Sequence, residues 1–156
     1  MNIHGMRRKI VFASVLCLAF SNSALADSPD RKNPLSGSQV IELYSGKTWL
    51  WSKGGSYWGN GGEFQALWDG SVAVGKWYAT DKGSLCYEAV WKKVRDEAGA
   101  NLKRCWTHVH DSKGVLWKQD PQTKDWYRPG KEFEERVKTG NKIKSEVNKR
   151  RKATGL

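Results

Sequence analysis

The chain has 156 residues, with 27 Lys+Arg against 16 Asp+Glu for a formal net charge of +11, and only 38% of it is hydrophobic. At about 150 residues per domain this is one domain, too short for a Rossmann unit, a TIM barrel or a multi-helix channel. Nine Trp, five Tyr and four Phe exclude a wholly disordered chain, because disorder goes with few aromatics.

The N-terminus reads as an export segment. Arg7, Arg8 and Lys9 form a positive region, residues 10–20 are an apolar run, and Ala24-Leu25-Ala26 is the small-x-small pattern that precedes cleavage. An apolar run of eleven residues spans about 16 Å of helix, whereas a bilayer takes about 20 residues. Residues 1–26 are therefore expected to be a signal peptide cut after Ala26, leaving no membrane span. Cys17 falls inside that segment, and Ser14-Val15-Leu16 before it do not make a lipid-attachment site. The mature chain is expected in the periplasm or secreted. Cys86 and Cys105 then remain, and an even pair in an oxidising compartment predicts a disulfide. Zinc is disfavoured for them, since no CxxC exists and a structural zinc needs four ligands.

Residues 27–35 are a polar, Pro-containing leader. Ser36 with Gln39 three residues on is a capping-box pattern. Val40, Ile41 and Tyr44 share a helical face, and Gly46 is a stop, so one short helix is predicted. From Lys47 the period changes to two. Strands are expected at 47–53, 63–68, 71–80, 84–93, 101–110, 115–119 and 124–128. Between them lie Gly54-Gly55, Asn60-Gly61-Gly62, Asp69-Gly70, 81–83, 111–114 and Asp120-Pro121. Short strands so spaced predict a mostly β fold, a small antiparallel meander or barrel (lipocalin-like or sandwich), over residues 36–129.

One hairpin can be specified. If Cys86 faces Cys105, then Glu88 faces Lys103, Tyr87 faces Arg104, Leu85 faces Trp106, and the turn falls at 94–97. After Pro129 the composition shifts. Residues 130–156 hold nine basic and four acidic residues, a net +5, against +3 over 27–129. Gly140 interrupts the helical spacing, and Phe133, Val137, Ile143 and Val147 are few. A frayed helix or disordered basic tail is expected there rather than a packed element.

The stretch from Gly46 to Tyr127 resembles the DUF995 family. The carrying residues are Gly46-Lys47-Thr48-Trp49-Leu50-Trp51, Gly55-Ser56-Tyr57-Trp58 and Gly75-Lys76-Trp77-Tyr78. They continue with Gly83-Ser84-Leu85-Cys86-Tyr87-Glu88-Ala89-Val90-Trp91, Cys105-Trp106-Thr107-His108 and Trp126-Tyr127. The resemblance implies a small exported alphaproteobacterial protein, set in the envelope of rhizobia and their relatives, where surface polysaccharide is a concern. It supplies no catalytic residues. The Gly46-x-x-Trp49 opening is also similar to that of lipocalins.

The aromatic residues are the main functional suspects, because ring faces stack on sugars, cations and bases. Trp49, Trp51, Tyr57 and Trp58 flank a Gly-rich loop, and Trp58 in SYWGNGG is expected to be the exposed one. Trp49 and Trp51 share a face, and Trp77, Trp91 and Trp106 are read as core. His108 and His110 share a strand face and form a weak metal candidate, with Asp111 or Asp120 as a third ligand. Against it stands the ordinary reading of two hydrogen-bonded strand residues, so no metal and no cofactor are expected. Weak catalytic candidates are His108, as a base without a marked nucleophile, and Glu63 and Glu88 as glycosidase carboxylates. Asp69 reads as a turn residue, and catalysis is the minority reading.

Net positive charge points to anionic partners. After export these are envelope glycans or lipid head groups rather than nucleic acid, with Lys149, Arg150, Arg151 and Lys152 as a holding run. The expected function is a non-catalytic envelope protein that binds or assists an acidic surface polysaccharide or another envelope polyanion. The alternatives are a small envelope glycan hydrolase or lyase, and a structural module that binds another envelope protein.

Overall fold

The computed structural model describes residues 27–95 and 98–156. The expected signal peptide, Cys17 and the cleavage point after Ala26 lie outside the described residues. Helix α1 is Gly37–Tyr44. Its start is the capping box: the Gln39 backbone N–H donates to Ser36 Oγ, and the Ser36 N–H to Gln39 Oε1. At its end Lys47 Nζ donates to the carbonyls of Glu42 and Leu43, which the helix itself leaves without partners.

Eight strands follow: β1 Lys47–Trp51, β2 Gly54–Trp58, β3 Glu63–Trp68, β4 Ser71–Ala79, β5 Ser84–Lys92, β6 Ala100–His110, β7 Leu116–Gln119 and β8 Trp126–Tyr127. The chain ends in α2 Gly130–Arg136, β9 Val137–Thr139 and α3 Lys144–Thr154. Among the described residues the strands form one antiparallel sheet in the order β8-β7-β6-β5-β4-β3-β2-β1-β9. The expected mostly β meander is therefore present, curled but not closed by hydrogen bonds. Lys118 of β7 shows the curl, because its Nζ lies 3.8 Å from the ring centroid of Trp49 on β1, across the interior. Helix α2 links the two edge strands and fills the seam between them. Its Phe133 ring sits 5.0 Å from Trp49 and 5.5 Å from Tyr44, centroid to centroid.

The β5–β6 hairpin has the predicted register. Cys86 faces Cys105, Glu88 faces Lys103, Tyr87 faces Arg104 and Leu85 faces Trp106. The disulfide joins Cα atoms 4.1 Å apart, and Lys103 Nζ meets Glu88 Oε1 at 2.7 Å. Pairing continues to Trp91 and Ala100, while residues 96 and 97 of the expected turn lie outside the described residues. Asp69-Gly70 is a two-residue hairpin loop with φ of 44° and 87°, as a type I′ turn requires.

Two expectations are corrected. Gly54-Gly55 is not a turn but the start of β2, and the chain reverses at Ser52-Lys53 instead. The glycines serve close packing of backbones: a Cβ on Gly54 would come within 2.0 Å of the Leu67 carbonyl oxygen, and one on Gly55 within 2.8 Å of that of Trp49. The basic C-terminal segment, though partly helical as expected, is packed. β9 pairs with β1, and α3 lays Ile143 and Val147 against Leu67 and Val72 on the outer face of the sheet. Thr48 Oγ1 donates to the Gly140 carbonyl and accepts the Lys142 N–H, which secures the crossing.

The inner face carries the main core: Trp49, Trp58, Phe64, Trp77, Leu85 and Tyr87, with Val40 and Tyr44 of α1. Helix α1 closes one end of the curl. The Leu35 N–H reaches the His108 carbonyl, the Gly37 N–H reaches Asp81 in the β4–β5 turn, and the Gly46 N–H reaches the Trp58 carbonyl. The result is a cup with a sealed lower end and an upper opening at the Trp51, Trp68 and Trp91 ends of their strands.

Candidate ligand-binding site

Inward positions follow strand parity. On β1 these are Trp49 and Trp51, on β2 Ser56 and Trp58, on β5 Leu85, Tyr87 and Trp91, and on β6 Arg104, Trp106 and His108. β7 adds Lys118, directly paired with His108. Two connected hollows result. The inner one, about 220 Å³, is bounded by Trp49, Ser56, Trp58, Trp106, Lys118 and Glu132, among others. The outer one, about 620 Å³, opens between Trp51, Trp68, Trp91, Arg104, Trp106 and Asp120. Trp51, Trp106 and Arg136 border both. The mouth is thus a ring of indoles with two guanidinium groups.

Lys118 is the unusual group. It is 5% exposed, and its Nζ lies over the rings of Trp49 at 3.8 Å, Trp106 at 5.4 Å and Tyr44 at 5.7 Å. Among the described residues no carboxylate stands within ion-pair distance of it. Burial lowers its pKa from 10.5 to about 7, against the weaker pull of Glu132 and Asp120 towards the charged form. Cation–π contact offsets about 2 kcal/mol of such desolvation, short of what an unpaired buried ion costs. On β2, next to the strand of Trp49, Ser56 Oγ and Trp58 Nε1 are buried without a hydrogen-bond partner. Tyr127 borders the same space, and burial together with Glu132 and Asp120 pushes its phenol pKa upwards.

His108 is the opposite case. Its Nε2 meets the Tyr44 hydroxyl at 2.8 Å and its Nδ1 the Gly83 carbonyl at 3.0 Å. The carbonyl only accepts, so Nδ1 carries the proton and Nε2 accepts from Tyr44. Burial first, then the Lys118 charge, lower its pKa from 6.5 to about 3. Both ring nitrogens are occupied, which leaves none for a metal or for base catalysis. Gly83 is required here: it has φ +71°, and a Cβ on it would come within 2.1 Å of the His108 carbonyl oxygen.

Other candidates fall elsewhere. Trp58, expected to be exposed, is 3% exposed, because β2 parity turns its ring inward against Tyr44, Phe64, Trp77 and Trp106. Tyr57, next in the chain, points outward beneath α3. Trp49 and Trp51 share the inner face, one buried and one at the rim, and Trp91 and Trp106 pack on the core while lining the mouth.

His110 joins no cluster: among the described residues no group of three metal-binding side chains exists. Asp111 is committed to its turn, where it accepts the N–H groups of Lys113 and Val115 and the Trp117 indole N–H. Asp120 likewise accepts from Gln122 and Thr123. Glu63 and Glu88 stand on the outer face with Lys76 between them, in a cross-strand row that ends at Lys103. Within that row Glu88 pairs with Lys103 and Glu63 accepts the Gly61 N–H, so each carboxylate is engaged separately on the outer surface.

Lys149, Arg150, Arg151 and Lys152 do not form one patch, since successive helical residues point about 100° apart. Lys149 and Lys152 face outward, while Arg150 pairs with Glu146 at 2.6 Å. Sequence reasoning missed Lys118, Arg104 and Arg136. Lys118 was detectable from its shared parity with the apolar Leu116.

No helix among the described residues is long and apolar enough to cross a membrane. No curated protein and no solved structure matches the chain. The family described as a protein of unknown function, DUF995, matches residues 12–148, a span that holds every strand of the sheet and the helix that fills its seam, and the chain belongs to that family.

Proposed function

We propose that the protein is an exported, non-catalytic envelope component that binds an acidic surface saccharide in its aromatic cup. The observation that carries this reading is the meeting of ring faces and cations at one opening: Trp51, Trp91 and Trp106 beside Arg104 and Arg136, with Lys118 below. An aromatic-lined concavity with a few placed polar groups is the general form of a small-ligand site. Indole faces cover the apolar C–H faces of sugar rings, and a guanidinium fork matches a carboxylate. The positive charge of the exported chain, +3 over 27–129 and +5 over 130–156, supplies long-range attraction for a polyanion. The N-terminal pattern supports export, and a disulfide is compatible with an oxidising compartment.

The test is calorimetric titration of the oxidised protein with uronate oligosaccharides and with neutral ones of equal length, at low and high salt. Acidic oligosaccharides are expected to bind at both salt concentrations, and Trp51→Ala and Arg136→Ala should each weaken them by about tenfold. Binding that vanishes in salt and ignores Trp51→Ala would reduce the charge to a general adhesive and overturn the reading.

A further inference from the structure

We infer that the cup takes its saccharide end-on, seating one terminal acidic sugar with its carboxylate against Lys118 Nζ, Ser56 Oγ and Trp58 Nε1. The inference rests on the reading that the ligand is an acidic saccharide, and it specifies which part of the chain is recognised. Three polar side chains, each at most 5% exposed, border the inner hollow. Ser56 Oγ and Trp58 Nε1 have no hydrogen-bond partner, and the Lys118 ammonium lies over three ring faces, with Glu132 on the same hollow but beyond ion-pair distance.

They converge. Ser56 is the direct cross-strand partner of Trp49, the ring on which Lys118 Nζ rests. Trp58 is two residues on along the same face, and both Trp58 and Lys118 contact Tyr44 and Trp106. An ammonium and an indole N–H only donate, and a hydroxyl turns to suit its partner. The group that satisfies all three is an acceptor, and the buried ammonium calls for one that is negatively charged. A carboxylate would hold the Lys118 amine in its charged form, which a sugar hydroxyl would not.

Shape selects the end of the chain. Below the inner hollow the cup is sealed by α1, which is tied to three strand ends. A polymer cannot thread through it. The inner hollow of about 220 Å³ is smaller than the roughly 300–1,000 Å³ of sites that take drug-sized ligands, so one ring enters it. The wider outer hollow, with Arg104 and Arg136, would hold the next unit less closely.

The experiment is a tryptophan-fluorescence titration of the full protein with free glucuronate, with glucose and with a glucuronate trimer. Glucuronate is expected to bind at least about tenfold more tightly than glucose. The trimer should gain no more than about threefold over the single sugar, since later units bury little. Lys118→Met, which keeps the side-chain length and removes the charge, should weaken glucuronate by about ten- to a hundredfold and leave glucose unchanged. Ser56→Ala, a deletion of one atom, should act in the same direction with a smaller effect.

Affinity that climbs with chain length while the single sugar stays silent would overturn end-on seating and leave the saccharide reading intact. The same holds if both substitutions leave glucuronate binding unchanged. If neither glucuronate nor its trimer binds, the saccharide reading falls and the inference falls with it.

Discussion

Two sides of the cup interior, around His108 and around Lys118, bury polar groups in opposite ways. His108 and Lys118 are direct cross-strand partners, both inside, both with a pKa lowered first by burial. On one side His108 spends each ring nitrogen on a protein partner, Tyr44 and Gly83. Beside it Lys118, with Ser56 and Trp58 across the interior, borders a hollow, and neither Ser56 Oγ nor Trp58 Nε1 has a hydrogen-bond partner. A satisfied buried group rigidifies a fold, while an unsatisfied one costs stability and is retained where something else completes it. The His108 side is therefore architecture and the Lys118 side is site, although the same strands build both.

The comparison can be broken most forcefully at Trp58. Its ring packs in the main core against Tyr44, Phe64, Trp77 and Trp106, so Trp58→Ala should destabilise the protein by about 3–5 kcal/mol through lost burial and a cavity, measured by urea unfolding. A cost within about 0.5 kcal/mol, as for an ordinary surface position, would put the ring outside the core. Next comes His108→Leu, which leaves the Tyr44 hydroxyl buried without its acceptor, while the Gly83 carbonyl keeps the backbone N–H of residue 108. At about 1–3 kcal/mol for one buried orphan, a loss of that size is expected. An unchanged midpoint would remove the distinction between the two sides.

A slope with pH, the smallest effect when counted per pH unit, sharpens the comparison by separating the two groups. Lys118 titrates at about 7 when folded and 10.5 otherwise. Between those values the unfolded chain holds the extra proton, so stability rises with pH, at up to about 1.4 kcal/mol per unit. His108, folded near 3 and otherwise 6.5, makes stability fall as pH drops from 6.5 towards 3 by the same linkage. Lys118→Met should abolish the upper slope and leave the lower one. A wild-type profile that is flat between pH 7 and 10 would show that Lys118 is not desolvated.

Local rules carried the sequence reading a long way. The capping box at Ser36 and Gln39, the Asp69-Gly70 turn and the register that joins Cys86 to Cys105 all depend on neighbours in the chain or on one hairpin. Each was legible because a local hydrogen bond, a positive φ or a cross-strand charge pair leaves its mark in residue type. Alternation also placed Trp49 and Trp51 together on one face. The site was much less legible. Trp58 sits beside glycines that suggest an exposed loop, yet those at Gly54 and Gly55 permit close strand packing.

By itself, then, the sequence determined the mostly β meander, its one disulfide hairpin and its N-terminal helix, because period, caps and turns act over a few residues. Tertiary structure alone decided which end of the curl is sealed, which indoles reach the mouth, and that the basic segment packs as β9 and α3. It also brought Lys118 of β7 over Trp49 of β1. The physical reason is the curl of the sheet: parity assigns a side chain to the inner face, but its neighbours across the interior come from strands far apart in sequence.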